Sequence, residues 1–373
     1  MDTERHSWEA LGQLLKHKDT QDMLIDVGMP VTHNGVRYNC RVFFYNGKIL
    51  LIRPKKVLAE GGNYREARWF SAWTHDKTTE EFHLPHSIFA INGQATTPLG
   101  DALLQTMDVG LGVESCEELF APHSSHADLS LAGAHVIANG SASHHEVRKL
   151  HSRVSLILNA SSKSGGVYIY SNLRGCDGER LYYDGTPLIA LNGRLLAQGP
   201  QFSLADVSVV SATINLDDIA AHRASHASHA QQAASSVPYP RVHVAISLTH
   251  LPLVSMFVPA NMPQLDRNAQ GVSLLEGTPK ALAPQKPTPP KLSPPLTPIY
   301  HSPSAEISLG PACWLWDYLR RSRSSGFFLP LSGGIDSAAS ALVVFSMCRL
   351  VMDAVGDSGE YFFLYMHFMV WGL

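Results

Sequence analysis

Eight of the chain's 23 prolines fall between Pro279 and Pro298, mixed with lysine, threonine and serine. Such a stretch cannot build a core, because proline removes backbone donors and polar residues have little to bury. It divides the 373 residues into a long unit over 1–252, an extended semi-rigid linker or insert over 253–304, and a short unit over 305–373. Apolar residues make up 45% and charged residues only 16%, with a net charge of -3. That balance argues against a dedicated nucleic-acid binder, which needs a basic stripe, and against wholesale disorder. Five scattered cysteines (Cys40, Cys116, Cys176, Cys313 and Cys348) form no C-x-x-C pair. A disulfide framework and a cysteine-rich zinc site are disfavoured, and a reducing, cytoplasmic setting is expected. The first residues lack the apolar core of a signal peptide. No apolar run reaches the roughly 18 residues of a membrane span, so no membrane partner is expected.

Within the long unit, helices and strands alternate. Trp8, Leu11, Leu14 and Leu15 share a helical spacing. A β-meander follows: Met23 to Pro30, Val36 to Tyr45 and Lys48 to Arg53, joined at Asn34-Gly35 and Asn46-Gly47. Asn-Gly supplies the positive φ angles of tight hairpins. Leu99 to Val113 reads as extended and breaks at Ser115-Cys116. Helix is then expected at Asp128 to Leu131 and at Glu146 to Asn159, and strand at Ala134 to Asn139 and Gly166 to Ser171. Two further hairpins are signalled by Asp184-Gly185 and Asn192-Gly193. The pattern is α/β and layered. In the short unit, Cys313 to Arg321 reads as helix, Phe327 to Leu331 as an apolar strand, and Ala338 to Val355 as a second helix.

Between that strand and helix lies P-L-S-G-G-I-D-S, Pro330 to Ser337. Two glycines let the backbone approach an anion closely, and the helix N-terminus and the Ser332 and Ser337 hydroxyls add donors. No Gly-Lys-Ser/Thr follows, so it is not a Walker loop. In the long unit, Cys116 stands at a strand-to-helix turn, where a thiolate can be exposed and stabilised. Glu117 and Glu118 beside it would raise a thiol pKa unless they point away. Lys55 closes a strand and could supply positive charge to a thiolate or an oxyanion. From the residues alone, a small core cysteine and a solvated lysine fit as well.

The motifs carry a resemblance. S-G-G-x-D-S resembles the pyrophosphate loop of ATP pyrophosphatases. Lys55 with L-A-E-G-G-N-Y-R-E-A-R-W-F, and then V-E-S-C-E-E-L, resemble the glutamine amidase domain of the nitrilase superfamily. D-V-G-M-P, V-R-Y-N-C-R-V, G-C-D-G-E-R-L-Y-Y-D-G and G-P-Q-F-S-L-A-D-V agree. An amidase joined to such a loop is similar to the glutamine-dependent NAD synthetase family, and Y-H-S-P-S-A-E-I-S-L-G-P-A-C-W-L-W-D-Y-L-R-R-S looks like its bridge between domains. The resemblance implies an αββα sandwich followed by the first strand, loop and helix of a doubly wound nucleotide-binding domain.

It further implies a ligase. Cys116 would attack glutamine, with Lys55 and the N–H after Cys116 holding the oxyanion, and Glu66 would be a second carboxylate beside the lysine. Tyr64, Ser143 and Arg148 would shape the glutamine pocket. Pro330, Leu331, Ser332, Gly333, Gly334, Ile335, Asp336 and Ser337 would bind ATP, with Ser332 acting catalytically and Mg2+ accompanying the ATP. Ammonia would amidate deamido-NAD to NAD, releasing AMP and pyrophosphate. The partners implied are these small molecules and, at full length, further copies of the chain, with no prosthetic group.

The family's general-base glutamate matches none of the early acids, and few residues follow Ser337, so truncation at both ends and an inactive chain are expected. The alternatives are a catalytically incompetent fragment and a carbon–nitrogen hydrolase with a vestigial nucleotide motif. The apolar tail E-Y-F-F-L-Y-M-H-F-M-V-W-G-L departs from the family. His222, His226 and His229 could share a helix face, but their Ala/Ser-rich surroundings read as a solvated segment, and no metal is expected. His144 and His145 are placed near the amidase pocket without a role.

Overall fold

The computed structural model describes residues 2–249 and 291–358. The tail and most of the proline-rich stretch lie outside them. Helix α1 (Asp2–Lys16) is followed by the meander β1 (Ile25–His33), β2 (Val36–Tyr45) and β3 (Lys48–Pro54). Strand β4 (Thr79–His83), helix α2 (His86–Asn92) and β5 (Thr96–Gly100) complete a five-stranded sheet of order β1-β2-β3-β5-β4. The two Asn-Gly turns sit where expected, with positive φ at Asn34, Gly35, Asn46 and Gly47.

The second sheet contains β6 (Leu103–Gln105), β7 (Gly110–Ser115), β8 (Val136–Ser141) and β9 (Val167–Asn172), with α3 (Ser125–Leu131) and α4 (Lys149–Ser164) as crossovers. A small arm, β10 (Arg174–Cys176) with β11 (Tyr182–Asp184), precedes β12 (Leu188–Leu191) and β13 (Arg194–Gln198). After α5 (Asp217–Ala224) and α6 (Ala227–Ser235), β14 (Arg241–His243) closes the order β13-β12-β9-β8-β7-β6-β14. Strands β7, β8 and β9 are parallel.

Period-two side chains divide the layers. Val42 and Phe44 of β2 join Trp8, Leu11 and Ile88 under α1 and α2. Phe43 points the other way, into a core with Leu51, Leu104 and Val113 between the two sheets. Leu129, Leu150, Val154 and Ile157 cover the outer face of the second sheet. The result is the expected αββα sandwich. Leu14 departs from the expected apolar face and is 40% exposed.

Asp184-Gly185 is not a hairpin turn. Asp184 is fully buried against Arg153, β11 pairs back with β10, and positive φ at both Gly185 and Thr186 carries the chain on to β12.

The described end of the proline-rich segment is seated on β13. Leu296 bridges Leu195, the Ile299 N–H donates to Gln198, and Tyr300 stacks on His151 at 3.9 Å. Helix α7 (Pro303–Ser322) follows, capped by Ser302 and carrying Pro311 within it. Its buried Glu306 accepts from the Arg148 N–H. Phe327 to Leu331 forms no strand, because no described neighbour offers it an edge to pair with. Helix α8 (Ile335–Ser358) begins three residues earlier than the pattern indicates. One side of it packs on α7 through Val344, Met347 and Cys348, while Leu342, Phe345 and Met352 are exposed. Ile335–Gly356 is long and apolar enough, by length and composition, to cross a membrane. The sequence reading missed this because its alanines, serines and one arginine break up any continuous apolar run.

Candidate active site

Three segments converge at the strand ends between the sheets. Lys55 follows β3, is almost fully buried, and is pinned at both backbone groups: its N–H donates to Asn39 and its carbonyl accepts from Trp73. Its Nζ lies 2.5 Å from Glu66 Oε2. Glu66 is itself fixed, accepting from Asn39 Nδ2 at 2.8 Å and from the Ala59 N–H at 2.8 Å. The short 3-10 turn at Glu66–Arg68 thus holds a carboxylate against the lysine.

Cys116 follows β7 and opens a second 3-10 turn, Cys116–Leu119. Its φ is +46°, an uncommon conformation for a residue with a Cβ and one associated with functional corners. The corner is held from two sides. The Cys116 N–H donates to Asn139 Oδ1 at 3.2 Å. Asn139 in turn donates to the Tyr168 hydroxyl, which donates to buried Glu114. On the other side, Ser115 and Glu118 form a reciprocal capping box. Glu118 therefore points away from the thiol: it takes Arg53 Nη1 at 2.6 Å, the Lys56 N–H at 2.6 Å and the Ser115 N–H at 2.7 Å. One carboxylate ties the residue after Lys55 to the residue before Cys116.

The aromatic wall is built from Tyr64, Tyr170 and Tyr183. Burial raises the pKa of all three hydroxyls, and negative charge at the nearby Cys116 would raise each further. Cys40 is fully buried and burial pushes its thiol far up; burial also raises Cys176.

Of the expected pocket residues, Tyr64 has its hydroxyl oxygen 2.9 Å from the Ala142 carbonyl and 2.7 Å from His144 Nδ1. Ser143 is buried and exchanges bonds with Asn172. Arg148 is exposed, with φ +68° at the start of α4, so its side chain is not locked toward the thiol. The Pro330–Ser337 loop is exposed: Ser332 and Ser337 lie 3.2 Å apart, and Gly333 has φ +83°. Among the described residues its hydrogen bonds stay within the loop and the first residues of α8. His222 and His226 bond backbone carbonyls, and no three His, Cys, Asp or Glu side chains gather as a metal site among the described residues. Sequence reading missed Arg53, Glu114, Glu118 and Asn139 as parts of this site. A polar Asn139 in an otherwise apolar strand was the available signal.

A carbon–nitrogen hydrolase family model matches residues 4–224. The chain is 50% identical over 355 residues to a glutamine-dependent NAD(+) synthetase of Bos taurus, covering 95% of this chain and 45% of that protein. It is 47% identical over 356 residues to the Saccharomyces cerevisiae protein of the same name, with 95% and 46% covered. The chain thus spans a little under half the length of these curated relatives. Among solved structures, a glutamine-dependent NAD(+) synthetase from Cytophaga hutchinsonii superposes with a TM-score of 0.63 at 23% identity, over 95% of this chain and 43% of that one. The Acinetobacter baumannii enzyme in complex with adenosine diphosphate gives 0.58 at 19%, over 93% and 46%. The sandwich, the thiol corner and the family match over residues 4–224 agree: the chain belongs to the carbon–nitrogen hydrolase family.

Proposed function

We propose that this chain carries the glutamine-hydrolysing unit of a glutamine-dependent NAD synthetase, joined to the opening loop and helix of its ATP site. The observation that carries the reading is the Glu118 clamp, which binds the neighbours of both Lys55 and Cys116. It holds a thiol and a buried lysine on one small site, and relatives about half identical bear that activity in their names.

In this reading the Cys116 thiolate attacks the side-chain amide carbon of glutamine. Lys55 and the N–H after Cys116, which lacks an intrahelical acceptor, receive the oxyanion, the Cys116 N–H being taken by Asn139. Collapse breaks the C–N bond as the amide nitrogen takes a proton from water and leaves as ammonia, and water then cleaves the thioester to glutamate and free thiol. Glu66 orients Lys55. Tyr64 and Ser143 border the substrate.

At the second site the carboxylate of deamido-NAD attacks the α-phosphorus of ATP, displacing pyrophosphate. Ammonia then displaces AMP from the acyl-adenylate to give NAD. The Pro330–Ser337 loop would take the phosphates through backbone N–H groups, Ser332 and Ser337. Asp336 is the one carboxylate in that loop, which suits magnesium that arrives bound to ATP and keeps most of its ligands from phosphate and water.

The test is to supply glutamine, ATP and deamido-NAD to this unit carried in a protein of its relatives' full length, then to replace glutamine by ammonium. Glutamate release abolished by Cys116→Ala, with NAD formed from either nitrogen source, is the expected result. Amide hydrolysis indifferent to Cys116→Ala would overturn the assignment.

A further inference from the structure

Tyr64 and His144 meet beside the thiol corner in an arrangement with one proton too few. The Tyr64 oxygen lies 2.9 Å from the Ala142 carbonyl, 3.0 Å from the His144 backbone N–H and 2.7 Å from His144 Nδ1. A phenol has one proton and two acceptor positions. The backbone N–H of His144 fills one of those positions. The single phenolic proton can go to Ala142 or to Nδ1, not to both.

The imidazole decides between them. On its far side Nε2 lies 2.8 Å from Glu146 Oε1, so Nε2 carries a proton facing that carboxylate. If Nδ1 is bare, it accepts the Tyr64 proton, and the phenolic oxygen keeps one acceptor position free. If Nδ1 is also protonated, it donates into that position, and the Tyr64 proton turns to Ala142. The hydroxyl then has nothing left to offer.

We propose that His144 is a positioning residue that decides whether the Tyr64 hydroxyl can accept a hydrogen bond from the amide N–H of a bound substrate. This rests on the glutamine-hydrolysing reading above. The groups facing the imidazole are Glu146 and Lys149 at the start of α4, Asp184 of β11, Tyr183 across the backbone bridge, and Tyr64 itself. Burial and Lys149 hold the His144 pKa below the ordinary imidazole value, against Glu146 and Asp184. The acceptor position is therefore open at neutral pH and closes as pH falls through that lowered pKa.

In the full chain, KM for glutamine is expected to rise about three- to tenfold from about pH 8 to about pH 5, with kcat changing less. His144→Asn can present a carboxamide oxygen near the place of Nδ1 but cannot titrate, so its KM should be flat across that range. Tyr64→Phe should raise KM and erase the acid limb. An acid limb in KM that persists in either variant would overturn the proposal. Nitrogen-15 NMR of the imidazole supplies a readout free of activity: a bare Nδ1 at neutral pH is expected, and a protonated Nδ1 there would sink the arrangement. A wild-type chain that releases no glutamate at any pH would defeat the glutaminase reading, while the NMR result would still decide this one.

Discussion

Arg53 and Glu118 meet across the two sheets, Nη1 lying 2.6 Å from both carboxylate oxygens, with both residues buried. Burial alone would pull the guanidinium pKa down, and Glu118 and Asp101 more than reverse it. Glu118 also accepts from the Lys56 and Ser115 N–H groups, so the pair sets the separation between the lysine and thiol corners. Removing one partner of a buried pair typically costs about 3–5 kcal/mol. Glu118→Gln is expected to destabilise by about that much, read from chemical denaturation. A loss below about 1 kcal/mol, the range of solvated pairs, would show that the clamp does not hold the corner.

The thiols are expected to react unequally. Cys116 is half-buried at a positive-φ corner, whereas Cys40, Cys176, Cys313 and Cys348 are buried with raised pKa values. A glutamine-mimicking electrophile should label Cys116 first, as seen by peptide mass mapping, and Lys55→Met should slow that labelling. Labelling confined to Cys40 or Cys176 would remove Cys116 from the proposed mechanism.

How much of this was legible depended on whether the cause was local. The Asn34-Gly35, Asn46-Gly47 and Asn192-Gly193 turns are short-range steric facts, and each appears with positive φ at both residues. The break at Ser115-Cys116 was visible for the same reason, and Lys55 and Cys116 stood out at strand ends. The clamp was not visible, because Glu118 finds its partner 65 residues upstream, and two acids beside a thiol look harmful until one is seen to face away. Asp184-Gly185 misled in the opposite sense: its turn chemistry is sound, but a buried Arg153 claims Asp184. Phe327 to Leu331 has the composition of a strand, but among the described residues no strand edge lies beside it to pair with.

Asp184 gives a pH dependence. Burial would raise its pKa, but His145, Arg153 and Gln201 overcome that and hold it down at about 2, from 3.8. A carboxylate with a depressed folded pKa contributes stability above its unfolded pKa and loses it as pH falls toward the folded value. The contribution is on the order of 2 kcal/mol, present at neutral pH and lost between about pH 4 and pH 2. Asp184→Asn should lower stability at neutral pH, and the gap from wild type should narrow through that acid window. A gap constant down to about pH 2 would mean that Asp184 is not held ionised by these partners.

The exposed glycine loop separates the two proposed sites. Gly333 has φ +83°, and a Cβ placed there would meet nothing within 4 Å. A side chain costs only local backbone strain, roughly 1–2 kcal/mol, yet it would stand where a phosphate must approach. Gly333→Val is therefore expected to abolish ammonia-driven NAD formation and leave glutamate release from glutamine intact. Gly334 is the gentler position, since its φ is not positive and its Cβ would touch only Ser332 Oγ at 3.4 Å. Loss of glutamate release in Gly333→Val would contradict the independence of the two sites.

Glu66 offers the sharpest separation of charge from shape at the amidase corner. It accepts from Lys55 Nζ, Asn39 Nδ2 and the Ala59 N–H. Glu66→Gln retains the volume but cannot satisfy three donors with one carbonyl oxygen, so its amide nitrogen must face one of them. Lys55 is the donor free to move, because its backbone is pinned while its side chain is not. A misplacement of about 1 Å in a positioning group can cost on the order of 10²-fold in rate, so kcat for glutamine hydrolysis should fall by about that factor, with KM changed less. Glu66→Asp keeps the charge on a shorter stem and should recover part of the loss. Equal damage from Gln and Asp would make the geometry, rather than the charge, the property that matters at this position.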